Sequence, residues 1–350
     1  MDLLGYCDVI LELLSDIIEL TLLNCNVPIT FVEKLGDFVA QHKINLSFLN
    51  VSGIDLNGVG QLMDTCIHTI PVLQLAGCNL NDDDFTSWSR AIRERNTNMD
   101  LLNLSYNVLS QNALENLAPS VHQLDGWLLH RCSISGDGLK QLCHEILKRQ
   151  KPMNVFSLKN NNIGLIGVSE VSTCVHNIRQ LWLDNCNLTG TCLKPFLLAI
   201  LKLDHQMETF SIGGNKVGSE IIPMLAKCVH KSKRLDLDNC GMNADEVKIV
   251  TNETKFQDEP MTFLALSKNK FGDEGAIALT GCLNKVEVLD LRNCDITSVG
   301  AKALWEANLK WKREIWGLDS EFEEASETSA SSDEMAPVVT NLKKKRCQIS

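Results

Sequence analysis

One short phrase recurs along this chain of 350 residues. Its form is L-x-L-x-x-[C/N]-x-[L/I/V/M], as in LQLAGCNL at 73–80, LNLSYNVL at 102–109 and LDLRNCDI at 289–296. We call its sixth position the pivot. Pivots follow one another at steps of 29 and then 24 or 25 residues, with cysteine and asparagine alternating, so the true unit is a pair of repeats about 54 residues long. The pivots are Cys25, Ile54, Cys78, Asn107, Cys132, Asn161, Cys186, Asn215, Cys240, Asn269 and Cys294.

Each repeat predicts a strand, a turn and a helix. Within L-x-L the two apolar side chains lie on one face of a short strand, because successive strand residues alternate between faces. The pivot follows where the chain turns inward, and we predict that its side chain bonds to backbone groups left unpaired between strand and loop. Apolar residues at three- and four-residue spacing then indicate a helix, and Asp273 is predicted to cap one of these helices. Such units stack into a solenoid, because one repeat cannot bury its apolar face alone.

The alternation of cysteine-type and asparagine-type repeats resembles the ribonuclease-inhibitor class of leucine-rich repeats, which also occurs in NOD-like receptors. The resemblance covers about residues 18–312. It implies an α/β leucine-rich repeat solenoid, a horseshoe of about 11 repeats with parallel strands on the concave face and helices on the convex face. Ile54 departs from the expected asparagine, and the short repeat of each pair is shorter than in the inhibitor, which implies tighter local curvature. No nucleotide-binding module precedes the repeats in this sequence, so we do not expect a complete NOD-like receptor.

Four regions are predicted from composition and pattern. Residues 1–19 are expected to form an N-terminal capping helix, and 20–318 the solenoid with a C-terminal cap. The segment 319–342 is acidic and serine-rich with too little apolar material to fold, and is expected to be a disordered tether. Residues 343–350 form a polybasic tail. Three tryptophans are predicted to close the C-terminal end of the core: Trp305, Trp311 and Trp316.

The charge balance excludes several classes of function. The net charge is -11 and the pI is near 5.2, and the dense basic run is confined to Lys343–Arg346, so nucleic acid is not an expected partner. The first twenty residues lack the cationic start of a secretory signal, and no apolar run reaches the roughly 18 residues of a membrane span. We therefore expect a cytoplasmic protein whose fourteen cysteines stay reduced.

No pattern of catalytic residues stands out. The sequence offers neither a nucleophile with a spaced base nor a phosphate-binding G-x-x-x-x-G-K loop, so we expect no enzyme and no cofactor. The recurrent C-[IV]-H at Cys66, Cys174 and Cys228 could suggest zinc, yet equivalent residues two repeats apart lie roughly 10 Å from each other and cannot share an ion. The acidic run 82–84 favours a capped helix start over a calcium loop.

The predicted concave face carries the candidate binding site. An exposed tryptophan beside carboxylates is typical of a binding centre, because tryptophan is over-represented among the side chains that anchor interfaces. The alternative is a solvated sheet that tolerates one tryptophan. The predicted partner-binding residues are Trp182, Asp184, Asp236, Asp238, Asp290 and Arg292.

The chain ends in LKKKRCQIS, which resembles a CaaX prenylation box. Cys347 is the predicted lipidation site, and a final serine is typical of farnesylation. Gln348 departs from the aliphatic pattern. Four cations precede the box and are predicted to contact an anionic membrane surface: Lys343, Lys344, Lys345 and Arg346.

These features predict a non-enzymatic protein-binding scaffold or receptor-like protein, tethered to the cytosolic face of a membrane by prenylation. The resemblance to NOD-like receptors implies signalling or innate immunity. One alternative is a small-GTPase regulator, since Ran GTPase-activating proteins also resemble a leucine-rich repeat arc with an acidic tail. A second alternative is a soluble ribonuclease-inhibitor-like protein, which the acidic groove favours and the lipid box disfavours. The sequence does not name the protein partner.

The tail makes a chemical prediction. In eukaryotic cells we expect farnesyl on Cys347, and we expect Cys347→Ser to release the protein from membranes. One lipid chain gives only reversible attachment, and each cation near an anionic leaflet adds about 1 kcal/mol, so neither signal should suffice alone. The intact mass of the C-terminal peptide tests this. An unmodified Cys347 followed by Gln348, Ile349 and Ser350 would end the anchor hypothesis.

Overall fold

A computed structural model describes residues 17–42, 46–318 and 346–349. The predicted capping helix lies outside the described residues as far as residue 16, and Glu19 belongs to the first strand. The predicted tether 319–342 and the three tail lysines also lie outside them.

Thirteen parallel strands form one open sheet in the described part of the chain. Twelve of them succeed each other in chain order, each paired with the strand before and after it. The strands are β1 (Glu19–Leu22), β2 (Phe48–Asn50), β3 (Val72–Gln74), β4 (Leu101–Asn103), β5 (Gly126–Leu128), β6 (Met153–Ser157), β7 (Ile178–Trp182), β8 (Met207–Ser211), β9 (Ser232–Asp236), β10 (Met261–Ala265), β11 (Val286–Asp290), β12 (Glu314–Trp316) and β13 (Arg346–Ile349).

A helix follows each strand from β1 to β11 and packs beside the helix of the next repeat. Strands about 4.8 Å apart stack more closely than helices can, so the sheet lines the concave face and the helices the convex face. The helices are α1 (Ile29–His42), α2 (Asp64–Thr69), α3 (Asp82–Arg93), α4 (Gln111–Leu117), α5 (Leu139–Leu147), α6 (Gly164–Cys174), α7 (Gly190–Leu201), α8 (Ile222–Lys227), α9 (Ala244–Thr254), α10 (Gly272–Leu279) and α11 (Ser298–Asn308).

The leucines of L-x-L face the core between sheet and helices, as their spacing predicts. Leu181 and Leu183 are fully buried, and strand pairing places Leu181 opposite Phe156 on one side and Phe210 on the other. The same alternation repeats in each strand, so one continuous core runs the length of the solenoid. This confirms the predicted arrangement of parallel strands and helices.

The asparagine pivots bond to the neighbouring repeat. The side-chain oxygen of Asn161 accepts hydrogen bonds from the N–H groups of Cys132 (2.9 Å) and Ile134 (3.1 Å). Its amide nitrogen donates to the carbonyls of Leu129 (2.6 Å) and Leu158 (2.8 Å). Asn107, Asn215 and Asn269 make the corresponding four bonds. The predicted role of the pivot is confirmed at these four positions.

The cysteine pivots are buried and reduced. The Sγ of Cys186 donates to the carbonyl of Leu158 in the preceding repeat (3.2 Å), and Cys294 does the same with Leu266 (3.2 Å). Burial raises the pKa of the Cys186 thiol to about 12, so it remains a neutral donor at physiological pH. Along the solenoid, an asparagine pivot with four hydrogen bonds therefore alternates with a compact, buried cysteine pivot.

Two details differ from the sequence predictions. Asp273 does not cap its own helix α10. Its carboxylate instead accepts hydrogen bonds from the N–H groups of Thr297 (2.8 Å) and Gly300 (3.0 Å) at the start of α11, because neighbouring helices lie side by side. The tryptophans of the C-terminal end do not fill the core: Trp305 is 42% exposed and Trp311 38%, and Leu304 is the large side chain of α11 that is buried.

The last described strand brings the two ends of the chain together. β13 pairs in parallel with β1, at the edge opposite β12, with Cys347 in register with Leu20 and Ile349 with Leu22. The predicted lipidation site thus lies in a strand, and its lipidation stays a prediction. Among the helices between residues 17 and 318, none has the length and apolar composition needed to cross a bilayer.

The pivot network gives a stability prediction. We expect Asn161→Ala to lower the free energy of unfolding by about 3 kcal/mol or more, because two donors and two acceptors lose their partner in the core. The exposed neighbour supplies the control: Asn162→Ala should change it by less than about 0.5 kcal/mol. Urea unfolding followed by circular dichroism measures both. Equal effects of the two substitutions would contradict the proposed role of the pivot.

Candidate protein-binding face

The concave face presents three rows of side chains, held in register by strand pairing. The rows are defined by the two core residues of each L-x-L. The first row lies just before the first core residue, the second row lies between the two core residues, and the third row lies just after the second core residue. From β7 to β12 the first row is Gln180, Thr209, Arg234, Phe263, Val288 and Glu314. The second row is Trp182, Ser211, Asp236, Ala265, Asp290 and Trp316. The third row, from β7 to β11, is Asp184, Gly213, Asp238, Ser267 and Arg292.

Four carboxylates gather in the second and third rows, and we call Asp184, Asp236, Asp238 and Asp290 the acidic cluster. Gly213 lies between them. A Cβ at this glycine would lie 3.0 Å from Oδ1 of Asp184 and 3.2 Å from Oδ1 of Asp236. The missing side chain therefore lets two carboxylates of different repeats converge on one point of the face.

Asp184 is almost completely buried at the N-terminal side of the cluster. Its Oδ1 accepts a hydrogen bond from the hydroxyl of Ser211 (2.6 Å), and Nζ of Lys159 lies 3.5 Å from Oδ2. Burial raises the pKa of Asp184, while the charge of Lys159 and the Ser211 hydroxyl oppose that shift. Oδ2 itself has no hydrogen-bond partner. Asp184 thus supplies negative potential from below the surface.

Asp236 and Asp238 are the accessible acids of the cluster. Burial, followed by the charges of Asp184 and Asp238, raises the pKa of Asp236 to about 7. Burial also raises the pKa of Asp238, although the hydroxyl and N–H of Ser267 oppose the shift, and this N–H donates to its Oδ1 (2.8 Å). The cluster therefore holds a proton near neutral pH. A cation placed here would displace that proton and restore the full negative charge.

Asp290 is neutralised within the protein. It is 1% exposed, and the guanidinium of Arg292 donates to both its oxygens, Nε to Oδ1 (2.9 Å) and Nη2 to Oδ2 (2.6 Å). Such a bidentate pair fixes the arginine plane. Of the predicted site residues, Trp182, Asp236, Asp238 and Arg292 are thus partly exposed on the face, while Asp184 and Asp290 act from beneath it.

A stack of aromatic rings and arginines adjoins the cluster on its C-terminal side. The Arg234 guanidinium lies 4.4 Å from the Phe263 ring centre, Phe263 lies 5.5 Å from Trp316, and Arg292 lies 5.1 Å from Trp316. We call these four residues the arginine–aromatic stack. Trp316 was not predicted to lie on this face, because Glu-Ile-Trp at 314–316 lacks the L-x-L leucines that mark a strand.

His230 of the C-[IV]-H pattern, and His122, which stands at the same repeat position after Ser120 and Val121, contact carboxylates. Nε2 of His122 lies 3.1 Å from a carboxylate oxygen of Glu145, and Nε2 of His230 lies 3.5 Å from one of Glu253. Within residues 17–42 and 46–318, no three metal-binding side chains gather in a geometry that would hold an ion.

Comparisons with known proteins agree with the repeat architecture. A Leucine Rich repeat family model matches residues 258–279 and 282–304. Ribonuclease inhibitor from Sus scrofa is 27% identical over 232 residues, which are 62% of this chain and 49% of the inhibitor. NACHT, LRR and PYD domains-containing protein 3 from Mus musculus is 26% identical over 219 residues, 58% of this chain and 21% of that protein. The matched part is thus about half of the inhibitor and about a fifth of the NACHT protein.

The fold is also seen in a solved structure. The crystal structure of the leucine-rich repeat-containing protein LegL7 from Legionella pneumophila superimposes with a TM-score of 0.51 at 17% identity, covering 79% of this chain and 94% of that one. Together with the strand and helix order, this confirms the predicted α/β leucine-rich repeat solenoid. The similarity to ribonuclease inhibitor and to NACHT proteins supports a leucine-rich repeat of the ribonuclease-inhibitor type.

The raised pKa of Asp236 predicts a pH-dependent stability. The folded protein holds its proton up to about pH 7, whereas the unfolded chain releases it near 3.8, so folding loses stability as the pH rises between these values. Asp236→Asn removes this loss. We expect it to raise the free energy of unfolding by about 2 kcal/mol at pH 8 and to change it little at pH 4.

An exposed acid away from the cluster, Asp258, provides the control. Asp258→Asn should change the free energy of unfolding by less than about 0.5 kcal/mol at both pH values. Urea titrations at pH 4, 6 and 8 measure all three proteins. A gain for Asp236→Asn that does not vary with pH would show that the carboxyl is not the source.

Proposed function

We propose that this protein is a non-enzymatic scaffold whose concave face binds a protein partner that presents a group of lysine or arginine side chains. The acidic cluster carries this proposal. Its carboxylates converge beside Gly213, and burial together with the charges of Asp184 and Asp238 raises the pKa of Asp236 to about 7.

The surroundings of the cluster determine how a partner would lie. Trp182 provides a partly exposed ring two residues before Asp184, and large flat rings anchor interfaces at small entropic cost. On the other side the arginine–aromatic stack repels cations and offers ring surface instead. A partner would therefore place basic side chains over β7–β9 and apolar or acidic groups over β10–β12.

The names of the similar proteins support a binding role. One is an inhibitor, and the others carry leucine-rich repeats beside NACHT and PYD domains. We propose a role in signalling or innate defence on that basis. We also propose that the tail holds the protein at the cytosolic face of a membrane through Cys347, and the support for this part is the tail sequence alone.

The acidic face and the match to ribonuclease inhibitor favour a second candidate, an inhibitor of a basic ribonuclease. Titration of purified pancreatic-type ribonuclease with this protein tests it, because an inhibitor would abolish RNA cleavage at stoichiometric concentration. Faster GTP hydrolysis by a purified GTPase panel would instead favour the small-GTPase regulator. No effect in either assay leaves the scaffold proposal in place.

The scaffold proposal is tested by identifying the protein partner and measuring its affinity for variants of the concave face. Proximity labelling in cells with the wild-type protein identifies candidates, and calorimetry then measures the affinity of each. For the true partner we expect Trp182→Ala to cost about 2 kcal/mol or more, roughly a 30-fold loss. Asp238→Arg should slow association chiefly at low salt, because opposite charges steer the encounter.

Because the acidic cluster holds a proton near neutral pH, binding of a cationic partner should depend on pH. Affinity should rise between pH 6 and pH 8, because a bound cation favours the ionised form of Asp236. Trp311→Ala, at an exposed tryptophan beyond α11, serves as the control and should leave the affinity unchanged. Full affinity in both Trp182→Ala and Asp238→Arg would place the binding site elsewhere.

A further inference from the structure

After each strand from β1 to β11, the chain turns through a residue whose backbone is in the left-handed region. This residue directly precedes the pivot, and its φ lies between +49° and +77° in each repeat from Asn24 to Asn293. Glycine and asparagine adopt this conformation at small cost, whereas a bulky side chain clashes with its own backbone. Eight of the eleven residues are glycine or asparagine: Asn24, Gly53, Gly77, Asn160, Asn185, Gly214, Asn239 and Asn293.

Two of the three exceptions stand in neighbouring repeats. Tyr106 has a φ of +62° and Arg131 a φ of +50°. Ser133, after the next pivot, is left-handed as well, where other cysteine repeats have asparagine, aspartate or glycine. The third exception, Lys268, stands alone. Strained side chains of this kind persist where the surrounding structure holds them, and they concentrate at binding sites.

The strained side chains point to solvent. Tyr106 is 58% exposed and Val108, on the other side of the Asn107 pivot, is 69% exposed. In the other repeats the residue that follows the pivot is polar or glycine: Asn26, Asp55, Asn79, Ser133, Asn162, Asn187, Lys216, Gly241, Lys270 and Asp295. One repeat therefore carries two large exposed side chains at positions that are small or polar elsewhere.

Arg131 completes this surface. Backbone hydrogen bonds from Tyr106 N–H to the His130 carbonyl (2.7 Å) and from Arg131 N–H to the Lys159 carbonyl (3.0 Å) place the rims of adjacent repeats side by side. The Arg131 guanidinium lies 5.7 Å from the Tyr106 ring centre. Within residues 17–42 and 46–318 it forms no salt bridge, so its donors can pair with a carboxylate.

We propose that Tyr106, Val108 and Arg131, which we call the rim patch, form a second docking surface for a protein segment that presents a carboxylate beside an apolar side chain. The carboxylate pairs with the guanidinium that the tyrosine ring supports, and the apolar side chain covers Val108 and the exposed edge of the ring. Tyrosine and arginine are among the residues enriched at the energetic centre of protein interfaces. The opposite charge preference separates this surface from the acidic cluster.

The first test measures strain. Tyr106→Gly and Arg131→Asn should each raise the midpoint of thermal unfolding by about 2–4 °C, because the substituted residue fits the left-handed conformation. Asn160→Gly, at the same position of another repeat, is the matched control and should shift it by less than a degree. If the unfolding midpoint is unchanged or lowered in both rim variants, Tyr106 and Arg131 are not strained in the left-handed conformation, and the proposal loses this support.

The second test measures binding. A phage library of random twelve-residue peptides is selected on the wild-type protein and depleted on a triple variant carrying Tyr106→Gly, Val108→Asn and Arg131→Asn. We expect the surviving peptides to share an aspartate or glutamate next to a large apolar residue. A synthetic peptide of that sequence should bind the triple variant at least 30-fold more weakly by fluorescence anisotropy, and should bind Asn160→Gly and Asp238→Arg with full affinity.

Two outcomes of the selection overturn the proposal. Peptides rich in lysine or arginine that lose affinity in Asp238→Arg would assign binding to the acidic cluster alone. A selection in which no peptide distinguishes the wild-type protein from the triple variant would show that the rim patch binds no such segment. Thermal unfolding of the triple variant, which should be no less stable than the wild type, shows that lost binding is not lost folding.

Discussion

The four hydrogen bonds of each asparagine pivot hold this structure together. One amide side chain joins two repeats: its oxygen satisfies two N–H groups of the preceding repeat, and its nitrogen satisfies a carbonyl in each. These bonds satisfy backbone groups of two repeats at once, so they hold adjacent repeats together beyond the pairing of their strands. Ile54 lacks these groups and is buried in the core, so the N-terminal pair of repeats is held by strand pairing and apolar contacts without a pivot amide.

A fixed strand spacing also determines the chemistry of the concave face. Side chains of equal register stand about 4.8 Å apart, so charges that would be scattered on another fold are forced into rows. Asp184, Asp236 and Asp238 stand close together in two adjacent rows. Burial and the negative charges of its two neighbours raise the pKa of Asp236 to about 7. Repulsion among these carboxylates destabilises the free protein, and a cationic partner would relieve that repulsion. Asp290 differs from these acids in having Arg292 as a direct ion-pair partner.

Two interpretations of the C-terminal tail assign different roles to the same residues, 346–349. The sequence of the last residues predicts a lipid on Cys347, while the structure pairs the backbone of Arg346–Ile349 with the free edge of β1. Cys-Gln-Ile at 347–349 has the same apolar–polar–apolar alternation in sequence as Leu-Thr-Leu at 20–22. Parallel pairing satisfies edge groups that would otherwise bond to water, whereas an anchored tail would have to leave the edge exposed.

The sequence by itself determined the repeat, its strands and helices, and the row positions of Trp182, Asp236 and Asp238, because a period of fixed length leaves one way to stack the leucines. The tertiary structure decided what each position became. Packing buries Asp184, and Asp273 bonds to α11 because neighbouring helices lie side by side. Strand β12, which lacks the two leucines, places Trp316 against Phe263. Burial and contact across repeats depend on distances between residues 24 or more apart, which local patterns do not contain.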